Sequence, residues 1–244
     1  MLSCSVEGGK VSLINKLVWK LFSLKEREYL LSTLKAHEQG GIKKILNNRA
    51  TFPEAFDDRK IILIEVPKAA SSSLAAALYD GKRYGHLPLK YYETLSSQPL
   101  SIYFKIAFVR NPWARALSAY NYLRQGGAGK RDQKWAKLMN SFESFDHFVS
   151  TWLNEDNIYK QIHFVPQRKF LEDTLGMVNL DYIGRYENLE EGFNELKESL
   201  GLVVDLPKIK MGSSIDYKEI YTKHTREKVG YLYKQDIDEF GYEF

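Results

Sequence analysis

Short, nearly unbroken apolar runs, each closed by a proline or a basic turn and followed by helical spacing, set the pattern of this chain from residue 61 onward. Ile61-Ile62-Leu63-Ile64-Glu65-Val66 has the length and continuity of a strand buried on both faces, and Pro67 ends it. Ser71 to Leu78 follows, with hydroxyl residues suited to a helix cap and then strong helix formers. A second run, Ile102 to Val109, leads into Arg110-Asn111-Pro112, and Pro112 suits the first position of a helix. Trp113, Ala116, Leu117, Tyr120 and Leu123 give that helix one apolar face. A third short strand is predicted at Tyr182-Ile183-Gly184-Arg185, leading into Glu187-Asn188-Leu189, with further helices at 143–153, 188–200 and 223–234. Residues 11–50 also read as helical, whereas 126–135 (GGAGKRDQKW) read as an exposed or mobile loop.

Strands alternating with helices predict an α/β fold of the P-loop-like, three-layer α/β/α kind, with a central, mostly parallel sheet. No repeat, low-complexity tract or long linker divides the chain. The expected organisation is therefore a single domain over 56–244, with residues 1–55 as a helical segment packed on its core.

Composition narrows the function classes. The chain has 244 residues, is 44% hydrophobic, and carries 35 Lys and Arg against 31 Asp and Glu, a net charge of +4. That length and apolar content suit one substantial core. So small a basic excess does not mark a nucleic-acid binder, but it accommodates a localised anion pocket. The single cysteine, Cys4, cannot form an intrachain disulfide and favours a reducing compartment. No apolar run reaches a membrane span, and Lys10, Lys16 and Lys20 break every candidate signal peptide. Leu13, Ile14, Leu17, Val18, Leu21 and Phe22 fall at helical spacing, so residues 11–24 are expected to pack on the domain. Peripheral contact with a membrane surface is the alternative for them, with Lys16 and Lys20 facing headgroups.

Two strand-to-helix junctions carry the candidate chemistry. In the first, Pro67-Lys68-Ala69-Ala70-Ser71-Ser72-Ser73, a turn of small residues opens a helix whose first N–H groups lack intrahelical partners. Those groups and the helix dipole make an anion site, to which Lys68 adds a full charge and the serines add hydroxyls. The Walker A glycines and its Lys-Ser/Thr ending are missing, which counts against an ordinary ATP or GTP enzyme. A plain capped helix beside an incidental lysine explains this segment equally well. In the second junction, Arg110 stands at the carboxyl end of a strand, where α/β folds bind ligands and a guanidinium holds phosphate through two hydrogen bonds. Ser118 lies nearly two turns into the next helix and is a candidate donor to the same group; a surface arginine and an ordinary helical serine are the alternative for this pair.

Together, VPKAASSSL and FVRNPWARALSAY resemble the two cofactor-binding motifs of the 3′-phosphoadenosine 5′-phosphosulfate-dependent sulfotransferases, in the branch of Golgi carbohydrate sulfotransferases and their bacterial relatives. The likeness extends through FVPQRKFL, DYIGRYENLEEGFNELKESLGL and REKVGYLYKQDIDEFGYEF, and so covers most of residues 61–244. The resemblance implies that Lys68 and the backbone and hydroxyls of Ala69, Ala70, Ser71, Ser72 and Ser73 bind the 5′-phosphosulfate. It implies likewise that Arg110 and Ser118 bind the 3′-phosphate, and that adenosine 3′,5′-bisphosphate is the product. Two positions depart from the family: Glu65 stands where relatives often have His, and Ala70 where many have Gly. Alanine is small enough for the turn, and Glu65 is expected to point away from the anion or to pair with a basic side chain.

Sulfuryl transfer then requires an aligned acceptor oxygen, a neutralised leaving group and a base; Lys68 serves the second need. His86, in a Gly-His-Leu context that resembles the catalytic histidine segment of uronyl 2-O-sulfotransferases, is the expected base. His163 and Glu65 are its reserves. His37, His147 and His224 read as surface or packing residues. No acidic or histidine cluster has metal-ligand spacing, so no metal is expected. Gln167 and Arg168 read either as ligand contacts or as a structural loop, and Arg185 and Glu187 as an ion pair. Lys208, Lys210 and Ser213 lie in a polar stretch that is a candidate cover for the nucleotide.

The function predicted on these grounds is O-sulfation of a carbohydrate or glycoconjugate by a cytoplasmic, bacterial enzyme. An atypical sugar or small-molecule kinase and a non-catalytic nucleotide binder are the alternatives.

Overall fold

The computed structural model describes residues 52–207 and 216–244. The expected helix at 11–50, the face at 11–24, His37, and the trio Lys208, Lys210 and Ser213 lie outside those residues.

Three strands form one parallel sheet in sequence order: β1 (Ile61–Ile64), β2 (Phe104–Val109) and β3 (Tyr182–Arg185). Before β1 lies α1 (Glu54–Arg59). Between β1 and β2 run α2 (Ser71–Tyr79) and α3 (Leu89–Leu95). Four helices precede β3: α4 (Pro112–Arg124), α5 (Lys130–Met139), α6 (Phe145–Thr151) and α7 (Arg168–Leu171). After it come α8 (Leu189–Ser199), α9 (Tyr217–Ile220), α10 (Lys223–Leu232) and α11 (Lys234–Phe240). All four residues of β1 and Ile106 to Val109 of β2 are buried. Successive strand side chains point to opposite faces, so burial without alternation means that both faces are covered. This is the mixed α/β architecture expected from the alternating pattern.

Local chemistry explains the junctions. Pro112 opens α4, and the Asn111 side chain caps it by accepting from the N–H groups of Trp113 and Ala114 at 3.1 and 3.4 Å. The apolar face expected for α4 is buried, and it packs on Phe145, Phe148 and Val149 of α6 and Val229 of α10 in a second apolar cluster beside the sheet core. Segment 126–135 needs correction. The loop ends at Gly129 and α5 begins at Lys130, because Trp135, Leu138 and Met139 join that second cluster while Lys130, Lys134 and Lys137 are exposed. Gly126 and Gly127 turn the chain at φ +91° and +59°, a region that glycine enters without a Cβ penalty.

Long-range polar contacts hold the strand ends. Arg115, 1% exposed, donates from its two terminal nitrogens to the carbonyls of His163 (3.0 Å) and Val165 (2.8 Å). The ion pair expected between Arg185 and Glu187 does not form. Arg185 donates instead to the carbonyls of Phe240 and Gly241, while Glu187 accepts from the Asn111 N–H and the Tyr242 hydroxyl. The C-terminal residues fold back over the ends of β2 and β3 and supply partners closer than the two side chains are to each other.

The ring of Phe108 packs against bare backbone at Gly184 of β3, where an added Cβ would overlap it. Gly184→Ala is expected to destabilise the protein by about 1–3 kcal/mol, the usual cost of overpacking a filled core, and urea denaturation of the full chain measures it. An unchanged midpoint would mean that the ring moves aside freely.

Candidate active site

At the carboxyl end of β1 the chain makes a turn that its residues only just tolerate. Lys68 and Ala70 both adopt left-handed backbone, at φ +66° and +63°, with Ala69 between them at negative φ. Each left-handed non-glycine residue costs roughly 1–2 kcal/mol. Alternation of hand turns successive N–H groups toward one concave side, the arrangement that binds anions. The first-turn N–H groups of α2, from Ser71 and Ser72, join it because a helix start offers them no carbonyl. Ala70 occupies the left-handed position before α2 with no side-chain cap, which explains why glycine suits this place and why a small residue is needed. The Ala69 side chain is buried in the sheet core, and its N–H donates to the Val66 carbonyl at 3.4 Å, so Ala69 shapes the turn and offers no free donor. Ser71 and Ser73 are buried and Ser72 is exposed.

The carboxyl end of β2 brings Arg110 to this turn. Its Nη1 donates to the Lys68 carbonyl at 3.2 Å, so the two junctions expected to share a ligand are directly bonded. The guanidinium lies 4.1 Å over the ring of Tyr186, which follows β3, and its buried Nε has no partner among the described residues. Burial holds the Arg110 pKa below its ordinary value. Gln167 supports the strand end: its side chain accepts from the Arg110 N–H and donates to the Arg110 carbonyl, both at 2.8 Å. The Gln167 N–H in turn donates to the buried carboxylate of Asp236 at 2.7 Å. Gln167 is thus structural, as is Arg168, which bonds Glu172, Glu239 and the Gly176 carbonyl. Ser118 is half-buried on α4, about 9 Å along the helix from Pro112 at 1.5 Å per residue. It makes no hydrogen bond to Arg110 among the described residues.

Lys68 places its Nζ 4.0 Å over the ring of Tyr122 on α4. Burial, then the nearby charge of Arg110, lowers its amine to about 8, against an opposing pull from Asp132. Asp132, on α5, accepts the Tyr122 hydroxyl at 2.9 Å. The Tyr122 ring meets His163 edge-on at 4.9 Å between centroids, and His163 meets His86 likewise at 6.0 Å. Lys68, Tyr122, His163 and His86 therefore form a continuous row.

The two histidines differ. His86 sits with Nδ1 2.6 Å from the Glu65 carbonyl oxygen, which only accepts, so Nδ1 carries the proton and Nε2 keeps the lone pair. Burial lowers the His86 pKa, which leaves the ring neutral and basic at Nε2 near neutral pH. His163 is buried, with neither ring nitrogen hydrogen-bonded among the described residues. Its Nε2 is 3.7 Å from Asp132, yet burial lowers its pKa to about 4, so at neutral pH this contact is not an ion pair. His147 and His224 have no part in the row.

Glu65 resolves the first departure from the expected pattern. It is 2% exposed; its Oε2 accepts from Arg83 Nε and Nη2 at 2.8 and 2.7 Å, and its Oε1 from the N–H groups of Tyr84 and Gly85 at 2.8 and 3.2 Å. The carboxylate is thus paired with a basic side chain, and the same residue positions His86 through its carbonyl. Tyr122, Asp132, Tyr186 and Arg83 carry no motif in the local sequence, and only the fold shows which side chains they meet: Lys68 for Tyr122, Tyr122 for Asp132, Arg110 for Tyr186 and Glu65 for Arg83. Among the described residues, no group of three or more His, Cys, Asp or Glu is placed to hold a metal, and no helix is long and apolar enough to cross a membrane.

An uncharacterized protein of Archaeoglobus fulgidus is 33% identical over 120 residues, covering 48% of this chain and 85% of that protein. Carbohydrate sulfotransferase 14 of Danio rerio is 31% identical over 113 residues, which is 41% of this chain and 30% of that protein, so the match spans less than a third of the fish relative. No solved structure matches. The sequence model of the Sulfotransferase family aligns with residues 55–243, which takes in both strand-end turns, the histidine row and the folded-back C-terminus: the chain belongs to the sulfotransferase family.

Proposed function

We propose that this protein transfers a sulfuryl group from 3′-phosphoadenosine 5′-phosphosulfate to a hydroxyl of a carbohydrate or glycoconjugate. The observation that carries the reading is the bond from Arg110 to the Lys68 carbonyl, which sets two cationic strand ends side by side. A donor with phosphates at both its 3′ and 5′ positions needs two such points. The residues present fit that need: a left-handed turn at a helix start, a lysine beside it, and a buried guanidinium with an unpartnered Nε. The 5′-phosphosulfate supplies an activated sulfuryl group when bound.

The chain's residues divide the work. Lys68 and the N–H groups at the start of α2 hold the 5′ end and offset the charge gathering on the leaving phosphate oxygen. Arg110 holds the 3′-phosphate, stacked on Tyr186 and braced by Gln167, with Ser118 joining it across the ligand. His86, its Nδ1–H fixed on the Glu65 carbonyl, takes the proton of the acceptor hydroxyl at Nε2 in an in-line transfer. A carbohydrate acceptor is supported by the name of the fish relative. A cytoplasmic location and a bacterial origin belong to the same proposal.

Adenosine 3′,5′-bisphosphate should raise the melting temperature of the full chain, and ATP with magnesium should not. Lys68→Ala and Arg110→Ala should each abolish that stabilisation; its persistence in both variants would remove the two turns from donor binding. Because the Lys68 amine titrates at about 8 and the anion favours its charged form, bisphosphate affinity should fall between about pH 7 and about pH 9. Calorimetric titration across that range would show a flat profile if Lys68 were not in contact, and Lys68→Arg should flatten it. His86→Ala should keep bisphosphate binding and lose about 100- to 10,000-fold in turnover. In the wild type, the acidic limb of kcat/KM should lie below the ordinary imidazole value of about 6.5, since burial lowers the His86 pKa and the base must be neutral. Full activity of His86→Ala would take histidine out of the mechanism.

A further inference from the structure

Arg83 stands beside the donor turn without a role in the scheme above. Its Nη2 donates to Ser71 Oγ at 3.2 Å, within the first turn of α2 that ends the anion nest. The same Nη2 and Nε are fixed on Glu65 Oε2 at 2.7 and 2.8 Å. Glu65 cannot turn away, because its other oxygen accepts two backbone N–H groups from Tyr84 and Gly85. The guanidinium is therefore held in one orientation, yet its side chain is 40% exposed and its Nη1 has no hydrogen bond among the described residues. An arginine with a locked plane and open donors is built to receive an anion.

We propose that Arg83 is a further binding residue of this site, holding the sulfuryl end of the donor; this rests on the reading given above. Position carries the argument. Glu65 mounts both Arg83, through its carboxylate, and His86, through its carbonyl. His86 receives the acceptor's proton and the turn at Ser71 receives the 5′-phosphate. The sulfur must lie between those two points, and Arg83 is the cation bonded to the turn on one side and mounted with the histidine on the other. As the acceptor oxygen bonds to sulfur, the bond from sulfur to the 5′-phosphate oxygen breaks, its electron pair stays with that oxygen, and the proton goes to His86 Nε2. The sulfuryl oxygens carry negative charge throughout, and the Nη1 of Arg83, unbonded among the described residues, is the donor offered to them. Glu65 balances the charge of the guanidinium, so Arg83 contributes directed hydrogen bonds more than net attraction, while Lys68 and Arg110 supply the latter.

Calorimetry with two ligands that differ only in the sulfuryl group tests this directly. These are adenosine 3′,5′-bisphosphate and intact 3′-phosphoadenosine 5′-phosphosulfate, the latter without acceptor. Arg83→Ala should weaken the phosphosulfate by about 10- to 100-fold more than it weakens the bisphosphate, the range of a charge-assisted hydrogen bond. Arg83→Lys should fall between Arg83→Ala and wild type, since an ammonium keeps the charge without the fork. Retained bisphosphate binding doubles as proof of folding; if Arg83→Ala does not fold, Arg83→Lys carries the same comparison. Equal losses for both ligands, or none for either, would overturn the role of Arg83. Failure of wild-type protein to bind either ligand would instead overturn the donor assignment itself.

Discussion

The parallel pairing of β1 with β2, in a register that sets Ile64 opposite Ala107, is the constraint from which the site follows. Parallel strands point the same way, so the turns that leave them emerge at one edge of the sheet. One edge thus receives Lys68 from the first strand and Arg110 from the second, close enough for the Arg110 guanidinium to reach the Lys68 carbonyl. A helix starts a few residues beyond each turn, and each start adds unpaired N–H groups and a positive dipole end on the same side. The clustering of positive charge comes from topology, and the modest net charge of the whole chain is no obstacle to it.

Concentrating cations in a buried place has a cost, and the structure shows how it is met. Lys68 rests on the face of Tyr122, Arg110 on the face of Tyr186, and Arg83 on the carboxylate of Glu65. Two of the three supports are aromatic faces, which attract a cation without forming a full ion pair that an arriving anion would have to break. Burial keeps Lys68 easier to deprotonate and keeps His86 neutral. The same dry surroundings therefore act on Lys68 and on His86 alike.

A single buried residue, Glu65, joins those sides. It stands at the end of β1 beside the turn that carries Lys68, and its contacts give a reason for tolerating a carboxylate there. Four donors surround its oxygens, so its charge is spent within the protein and is not presented to the ligand. The remaining backbone carbonyl fixes the tautomer of His86, which sequence alone leaves undetermined.

Continuous apolar runs closed by Pro67 and by Arg110-Asn111-Pro112 determined the strands, their parallel arrangement and the two strand-to-helix turns, because period and breakers are local properties of a chain. Spacing also determined which face of α4 is buried. The tertiary structure alone decided that α5 is a packed helix, that Gln167 braces Arg110 from 57 positions away, that Arg185 and Glu187 bond elsewhere, and that Tyr122, Asp132 and Tyr186 enter the site. Those contacts join segments remote in sequence, and their partners are chosen by packing and by the need of buried polar groups for any donor or acceptor within reach. Only the folded chain specifies which groups those are.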